Sequence, residues 1–213
     1  MKLLIYSDLH LEFSDYTIPE LDDEHNTVLV LAGDICVAKR PNTILPFAER
    51  LKQRNFKHII HVFGNHEHYD GSILRSTKKL EEIYFDKCGL TNVSCGDYFS
   101  VEIDNVAFTC ATLWTDMNRG DWFVGHAAKE KMNDYRVIRT GTIENPYGKR
   151  LSPHDTQLIN HKHFEYINKF TELHDNEGKK NVVITHHAPS YMSGRGFMPG
   201  NLLDHCYYSN YDN

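Results

Sequence analysis

The chain has 213 residues and a mass of 24.7 kDa, with 40% hydrophobic and 24% charged residues, which fits one ordinary globular domain. Its net charge of −6 argues against a broad basic surface for nucleic acid. No apolar run approaches the roughly 20 residues of a membrane helix, and the short apolar start before Asp8 is not a signal peptide, so we expect a cytoplasmic protein without membrane contact.

Short apolar runs alternate with helical periodicity along the first half of the chain. Runs of aliphatic and β-branched residues predict buried strands at 2–6, 27–31 and 57–62. Apolar residues at helical spacing predict helices over 44–55 and 72–87. Because strands and helices alternate, the sequence predicts a layered α/β domain.

The second half begins with a β-hairpin. Residues 98–103 and 106–113 alternate around a two-residue turn at Asp104-Asn105, so we expect a mixed sheet or a second sheet. Residues 116–150 form a long ordered insertion that is rich in polar, glycine and aromatic residues. Ser152 as N-cap and Pro153 at the first helical position predict a helix to about residue 174, where His161 and His163 take exposed positions. A last strand is expected at 181–185, and loop follows to residue 213.

Four of the predicted strands end in polar clusters, at residues 7–12, 33–34, 64–68 and 185–187. Each cluster alone could be an ordinary turn, but ligands of open α/β sheets bind beyond the carboxyl ends of strands, so we expect the four to converge. Imidazole with carboxylate and amide oxygens suits divalent transition metals. The five cysteines are scattered, with no CxxC pair, which indicates reduced core thiols rather than a zinc–thiolate site. Gly33 and Gly64 would let the backbone approach the metals closely.

The clusters resemble the motifs of a known family. Asp-x-His at residues 8–10, Gly-Asp at 33–34, Gly-Asn-His-Glu at 64–67 and a later histidine resemble the calcineurin-like metallophosphoesterase superfamily. Residues 112–116 and 133–136 resemble a bacterial and phage branch described as predicted phosphohydrolases. The resemblance runs from residue 2 to about 189. It implies a single domain over 1–213 with an α/β/β/α sandwich and a dimetal site at one edge of the two sheets.

The resemblance also implies roles for individual residues. Asp34 would bridge two divalent metal ions (Mn, Fe, Zn or Ni), and His66 would protonate the leaving oxygen without binding metal. For the later histidine we favour His186, which directly follows the strand, over His187. The implied activity is hydrolysis of phosphate mono- or diesters by a metal-activated water. The implied metal ligands are Asp8 and His10 for the first ion, Asp34 for both, and Asn65 and His186 for the second.

Two departures from the family pattern stand out. Its last block, Gly-His-x-His, is absent, so we expect a sandwich truncated at its C-terminus that lacks a terminal strand; His205 is a candidate substitute ligand, disfavoured because it lies in a predicted loop. The Asp-Arg-Gly of the Ser/Thr phosphatase branch is also absent after Asp34. The acid that orients the catalytic histidine in that branch is therefore missing, which disfavours a dedicated protein phosphatase.

Several alternatives stay open at this point. The favoured substrate is a small phosphate ester or a nucleotide-like molecule; a nuclease, or a non-catalytic binding or assembly protein with an incomplete metal site, are alternatives. Basic residues at 39, 40 and 119 could reach a phosphate, although surface charge is favoured. The aromatic residues of the insertion region could stack on bases, although packing is favoured; they are Trp114, Trp122, Phe123 and Tyr135.

Overall fold

Two β-sheets organise the chain, which a computed structural model describes over residues 1–193 and 201–211. The first sheet is parallel and has the order β1 (Lys2–Tyr6), β2 (Thr27–Ala32), β3 (His58–Val62), β4 (Val93–Gly96). The second has the order β5 (Tyr98–Ile103), β6 (Val106–Ala111), β9 (Lys180–Thr185); β5 is antiparallel to β6, and β9 is parallel to it. A short ribbon pairs β7 (Arg139–Thr140) with β8 (Lys149–Arg150).

In the part of the chain that the structure describes, six α-helical segments accompany the sheets. They are α1 (Pro41–Lys52), α2 (Ile73–Glu81), α3 (Met117–Gly120), α4 (Trp122–Lys131), α5 (Asp134–Val137) and α6 (Pro153–Asn176). Helix α6 starts with the predicted N-cap, because the Ser152 and Asp155 side chains each accept a hydrogen bond from the other's backbone N–H. Within the described ranges, no helix has both the length and the apolar character needed to cross a bilayer.

The apolar clusters show how the layers stack. Leu29 and Leu31 of β2 face outward against α1, α2 and the π-helical turn Glu82–Lys87. Val28 and Val30 of the same strand face the second sheet. The outer face of the second sheet packs on α6, with Ile167 against the residues that end β6. This order of layers confirms the predicted α/β/β/α sandwich.

Most predicted elements are present within a few residues, and the exceptions have physical reasons. Strand β4 was not predicted, because Val93-Ser94-Cys95-Gly96 carries a single β-branched residue. The predicted helix 72–87 is α-helical only to Glu81 and then widens into the π-helical turn. The insertion folds into α3, α4, α5 and the β7–β8 ribbon around an apolar cluster that also includes Trp114, Leu151 and Cys206. The loop predicted for 186–213 is described in part, since 194–200 and 212–213 lie outside the described residues.

The prediction that β1 is a buried strand is wrong: Leu4 and Tyr6 on its outer face are only partly buried, and its inner face is exposed. Leu3 and Ile5 are 40% and 62% exposed, although their register partners Val28 and Val30 are fully buried. β1 is the edge of its sheet, and in the described ranges the second sheet ends at β9. The second sheet therefore covers β2 and β3 and leaves the inner face of β1 open.

Three side-chain predictions also need correction. His161 is exposed as expected, but His163 on the same helix is only 1% exposed and accepts a hydrogen bond from the backbone N–H of Leu113. Trp122 and Phe123 are 68% and 66% exposed, so the packing interpretation fails for them. It holds for the other two aromatic residues, Trp114 and Tyr135. All five cysteines are free and four of them are buried, as expected.

Candidate metal centre

The carboxyl ends of β1, β2, β3 and β9 meet at one edge of the sandwich. The residues that follow these strands line a cavity of about 550 Å³. The structure therefore brings together every residue that the sequence predicted for the site. They are Asp8, His10, Asp34, Asn65, His66 and His186.

The loops that carry the first three of these residues are strained and tied to one another. Asp8, His10 and Asp34 adopt left-handed backbone conformations, with φ of 56°, 46° and 55°. For a residue with a side chain this region costs roughly 1–2 kcal/mol. The Asp8 and His10 amides donate to the carbonyls of Gly33 and Asp34, both at 3.0 Å. Such strain concentrates at functional sites, where the surrounding structure holds it in place.

Two glycines allow the loops to meet, as expected from the sequence. A Cβ atom on Gly33 would lie 2.3 Å from Nδ1 of His186. A Cβ on Gly64 would lie 2.2 Å from Oδ1 of Asp34 and 2.7 Å from Nε2 of His186. No side chain fits at either position without displacing a candidate ligand.

Asp34 occupies the middle of the centre. Its Oδ1 lies 3.5 Å from Nε2 of His186, and its Oδ2 lies 4.0 Å from Nε2 of His10 and 3.9 Å from Nε2 of His66. These distances are too long for hydrogen bonds. Two atoms that bind one ion at about 2.1 Å each can be at most about 4.2 Å apart. The distances therefore allow Asp34 to share one ion with His186 through Oδ1 and a second ion with His10 through Oδ2.

The electrostatics of Asp34 fit a cation. Burial raises the pKa of its carboxyl to about 6; the charge of His186 opposes this shift and that of Glu67 adds to it. A nearby positive ion would stabilise the charged form of such a buried carboxylate. Among the described residues, three groups of side chains have ligand atoms within 4.8 Å of one another. Two lie at the centre, the first made of Asp8, Asp34 and His186, the second of His10, Glu12 and His66; the third, made of Cys36, His61 and Glu67, is fully buried.

Hydrogen bonding distinguishes the two adjacent histidines. Nδ1 of His186 donates to the carbonyl oxygen of Ala32 at 3.0 Å, so Nε2 is left unprotonated and faces Asp34. His187 is held by the carbonyl of Thr112 and stacks on Trp114 at 5.4 Å. Burial lowers the pKa of His187 to about 3. The geometry favours His186 as the ligand.

Glu67 supports the centre, and the sequence analysis gave it no role. This fully buried carboxylate accepts hydrogen bonds from backbone N–H groups of two loops, the one after β2 and the one after β3. Burial alone would raise its pKa, but the hydrogen bond from His61 and the neighbouring amides lower it to about 2. The sequence feature that could have indicated this supporting role is the acid that ends the Gly-Asn-His-Glu motif. The amide donors are Asp34, Ile35, Cys36 and Gly64, at 2.7–3.2 Å.

Asp134 of the insertion supports the centre from the other side. It is buried and lines the same cavity. Its carboxylate accepts a hydrogen bond from the Tyr69 hydroxyl, at 3.4 Å, and the nearby Asn65 side chain acts to lower the pKa of Asp134 against the effect of burial. Asp134 lies in the segment that resembles the phage branch, but the sequence indicated no partner for it.

Other residues that the sequence offered as a metal ligand or a phosphate contact lie away from the cavity. His205 sits in the 3₁₀ turn Leu202–Cys206 with its ring 5.1 Å from Tyr208, and it is not among the described residues that line the cavity. Arg40 pairs with Asp70 at 2.6 Å. The basic residue that does line the cavity is Lys131, at the end of α4. The surface-charge interpretation is therefore the better one for Arg40.

Comparison with known proteins identifies a family for this chain. A family model, described as calcineurin-like phosphoesterase, matches residues 1–212. A search of curated proteins finds no match.

Proposed function

The chain belongs to the calcineurin-like phosphoesterase family, and we propose that it hydrolyses phosphate mono- or diesters at a centre of two divalent metal ions. The observation that supports this most directly is the position of Asp34, whose two carboxylate oxygens face different histidines inside the cavity. A single carboxylate so placed is suited to bridging two ions.

The resemblance to the family supplies the ligand set that we propose, and all of its members line the cavity. We assign Asp8 and His10 to one ion, Asn65 and His186 to the other, and Asp34 to both. This mixed nitrogen and oxygen set suits Mn, Fe, Zn or Ni. When bound, such a pair of ions neutralises charge on the phosphate oxygens and makes a water molecule acidic enough to supply the nucleophile.

The protein's own groups would complete the reaction. His66 stacks on Tyr69 at 4.1 Å, with its Nε2 3.9 Å from Oδ2 of Asp34, so it can donate a proton from Nε2 to the leaving oxygen. Burial lowers the pKa of His66, but the hydrogen bond to Glu12 and the nearby carboxylates outweigh it and raise the pKa overall. Lys131 can contact the phosphate. The cavity volume suits a small phosphate ester or a nucleotide-like substrate.

Replacing Asp34 tests this proposal. We expect Asp34→Ala to abolish metal-dependent turnover of p-nitrophenyl phosphate and bis-p-nitrophenyl phosphate, and to lower the bound metal below two ions per chain, because both ions lose a shared ligand. Turnover is followed by absorbance and metal content by elemental analysis. The matched control is Asp22→Ala at an exposed position, which should change neither quantity.

The outcomes separate the alternatives. Unchanged turnover in Asp34→Ala would refute the assignment of the site. A wild-type chain that binds no metal and hydrolyses neither ester would instead favour a non-catalytic binding or assembly protein.

A further inference from the structure

Glu12 lies beside the metal centre and makes an unusual set of contacts. Its side chain is only 2% exposed. One oxygen, Oε1, lies 2.7 Å from Nδ1 of His66 and 3.3 Å from Nδ1 of His10. The other oxygen, Oε2, is buried and has no hydrogen-bond partner among the described residues. The carboxylate thus concentrates its contacts on two histidines.

These contacts fix the direction of both imidazole rings. With Nδ1–H donated to Glu12, the opposite nitrogen Nε2 of each ring points away from Glu12. Both Nε2 atoms face the same oxygen of Asp34, at 4.0 Å for His10 and 3.9 Å for His66. The rings meet edge to face, with centroids 4.4 Å apart. A ligand histidine and the candidate general acid are therefore held by a single carboxylate.

Comparison with Glu67 argues against a purely structural role. Glu67 joins loops by accepting backbone N–H groups through both of its oxygens. Besides its own backbone amide, the hydrogen-bond partners of the Glu12 side chain are the side chains of His10 and His66. A buried carboxylate directed at imidazole rings sets their tautomer and orientation, which backbone anchoring does not.

We propose that Glu12 is a positioning residue for both histidines, holding Nε2 of His10 toward the metal site and Nε2 of His66 toward the leaving oxygen. The part that concerns His66 rests on the proposed function. The acid expected after Asp34 in the Ser/Thr phosphatase branch is absent here, and Glu12 supplies a carboxylate from the first loop instead.

The variant Glu12→Gln keeps the size of the side chain and removes its negative charge. We expect the affinity of the metal-free protein for Mn²⁺ or Zn²⁺, measured by calorimetric titration, to fall by about 10–100-fold. At saturating metal, kcat for an alkyl phosphate should fall at least about 10-fold more than kcat for a dinitrophenyl ester, because a dinitrophenolate leaves without a proton. The control Glu20→Gln makes the same change at an exposed position and should alter neither quantity.

Equal losses for the two leaving groups, together with unchanged metal affinity, would overturn the proposal. A measurement on the wild-type chain covers the case in which Glu12→Gln does not fold. In the metal-free protein, nitrogen NMR of the imidazole rings should show neutral His10 and His66 protonated at Nδ1, and protonation at Nε2 would overturn the proposal. A wild-type chain inert toward every ester would refute the proposed function, while metal affinity and tautomer would still decide the role of Glu12.

Discussion

Of the two glycines at the metal centre, Gly64 is the one at which an added Cβ would come closest to a neighbouring atom. The space that a methyl group would need is taken by Oδ1 of Asp34 and Nε2 of His186. Both are atoms that we assign to the second metal ion. An added Cβ would also lie 2.7 Å from the backbone nitrogen of Asp34, so the absence of a side chain leaves room for both ligand atoms and for the loop that carries Asp34.

We expect Gly64→Ala to weaken metal binding by at least about 10-fold, because the new methyl group pushes the Asp34 carboxylate out of position. Metal titration of the purified variant measures this change. Gly125→Ala is the control, since its Cβ would meet only Pro153, at 3.6 Å, and alanine is the better helix residue in α4. Equal metal affinity in Gly64→Ala and wild type would contradict the assignment of Asp34 and His186 to one ion.

The sequence predicted the candidate ligands better than the groups that support them. Asp34 and His186 could be predicted because they follow strands in a recognisable order. Glu12 and Asp134 could not, because their partners come from distant parts of the chain and depend on how the loops fold. Such partners become visible only when the tertiary structure is known.

Strands β1 and β2 show how an element's place in the sheet decides the effect of a substitution. Ile5 and Val30 are register partners on the same face, yet Ile5 is 62% exposed and Val30 is 1% exposed. Threonine keeps the β-branched shape at both positions, so the comparison isolates burial.

We expect Ile5→Thr to change the free energy of unfolding by less than about 0.5 kcal/mol. Val30→Thr should lower it by about 1–3 kcal/mol, because a hydroxyl is buried between the sheets. Urea denaturation of the two variants provides the measurement. Equal destabilisation would mean that the inner face of β1 is covered in solution.

The same comparison explains which elements the sequence could predict. β2 is an apolar run with apolar neighbours on both faces, so its pattern and its burial agree. β1 has an equally apolar pattern, but its exposure depends on how far the second sheet extends. Local sequence carries no information about that extent, so the strand is predicted correctly and its burial is predicted wrongly.

At the scale of the whole molecule, Asp97 joins the two sheets. It is the one residue between β4 of the first sheet and β5 of the second. Its backbone carbonyl accepts from the Thr112 amide at 2.8 Å, and its carboxylate also accepts from the Thr112 hydroxyl. His68 and His163 approach the same carboxylate, with Nε2 at 3.6 and 3.5 Å. Helix α6 and the loop after β3 thus meet at the crossing point of the sheets.

Asp97 should make stability depend on pH. Burial would raise its pKa, but His163 and His68 hold the pKa well below its usual value. The charged form therefore stabilises the fold above the unfolded pKa of about 3.9, and this contribution is lost as the pH falls below that value. We expect Asp97→Asn to lower the free energy of unfolding at pH 7 by about 3–5 kcal/mol and to flatten its decline between pH 5 and pH 3.

Chemical denaturation across that pH range measures both effects, with Asp22→Asn as the exposed control. A variant whose stability falls with acid as steeply as that of the wild type would show that other carboxylates dominate the acid transition.

The left-handed conformations of Asp8, His10 and Asp34 have an evolutionary consequence. Glycine adopts this conformation without strain, so a glycine at any of the three positions relieves the backbone while removing a candidate ligand. Selection for thermal stability alone would then favour glycine at these positions and remove candidate metal ligands. Aspartate and histidine at these three positions therefore cost the fold stability that glycine would restore.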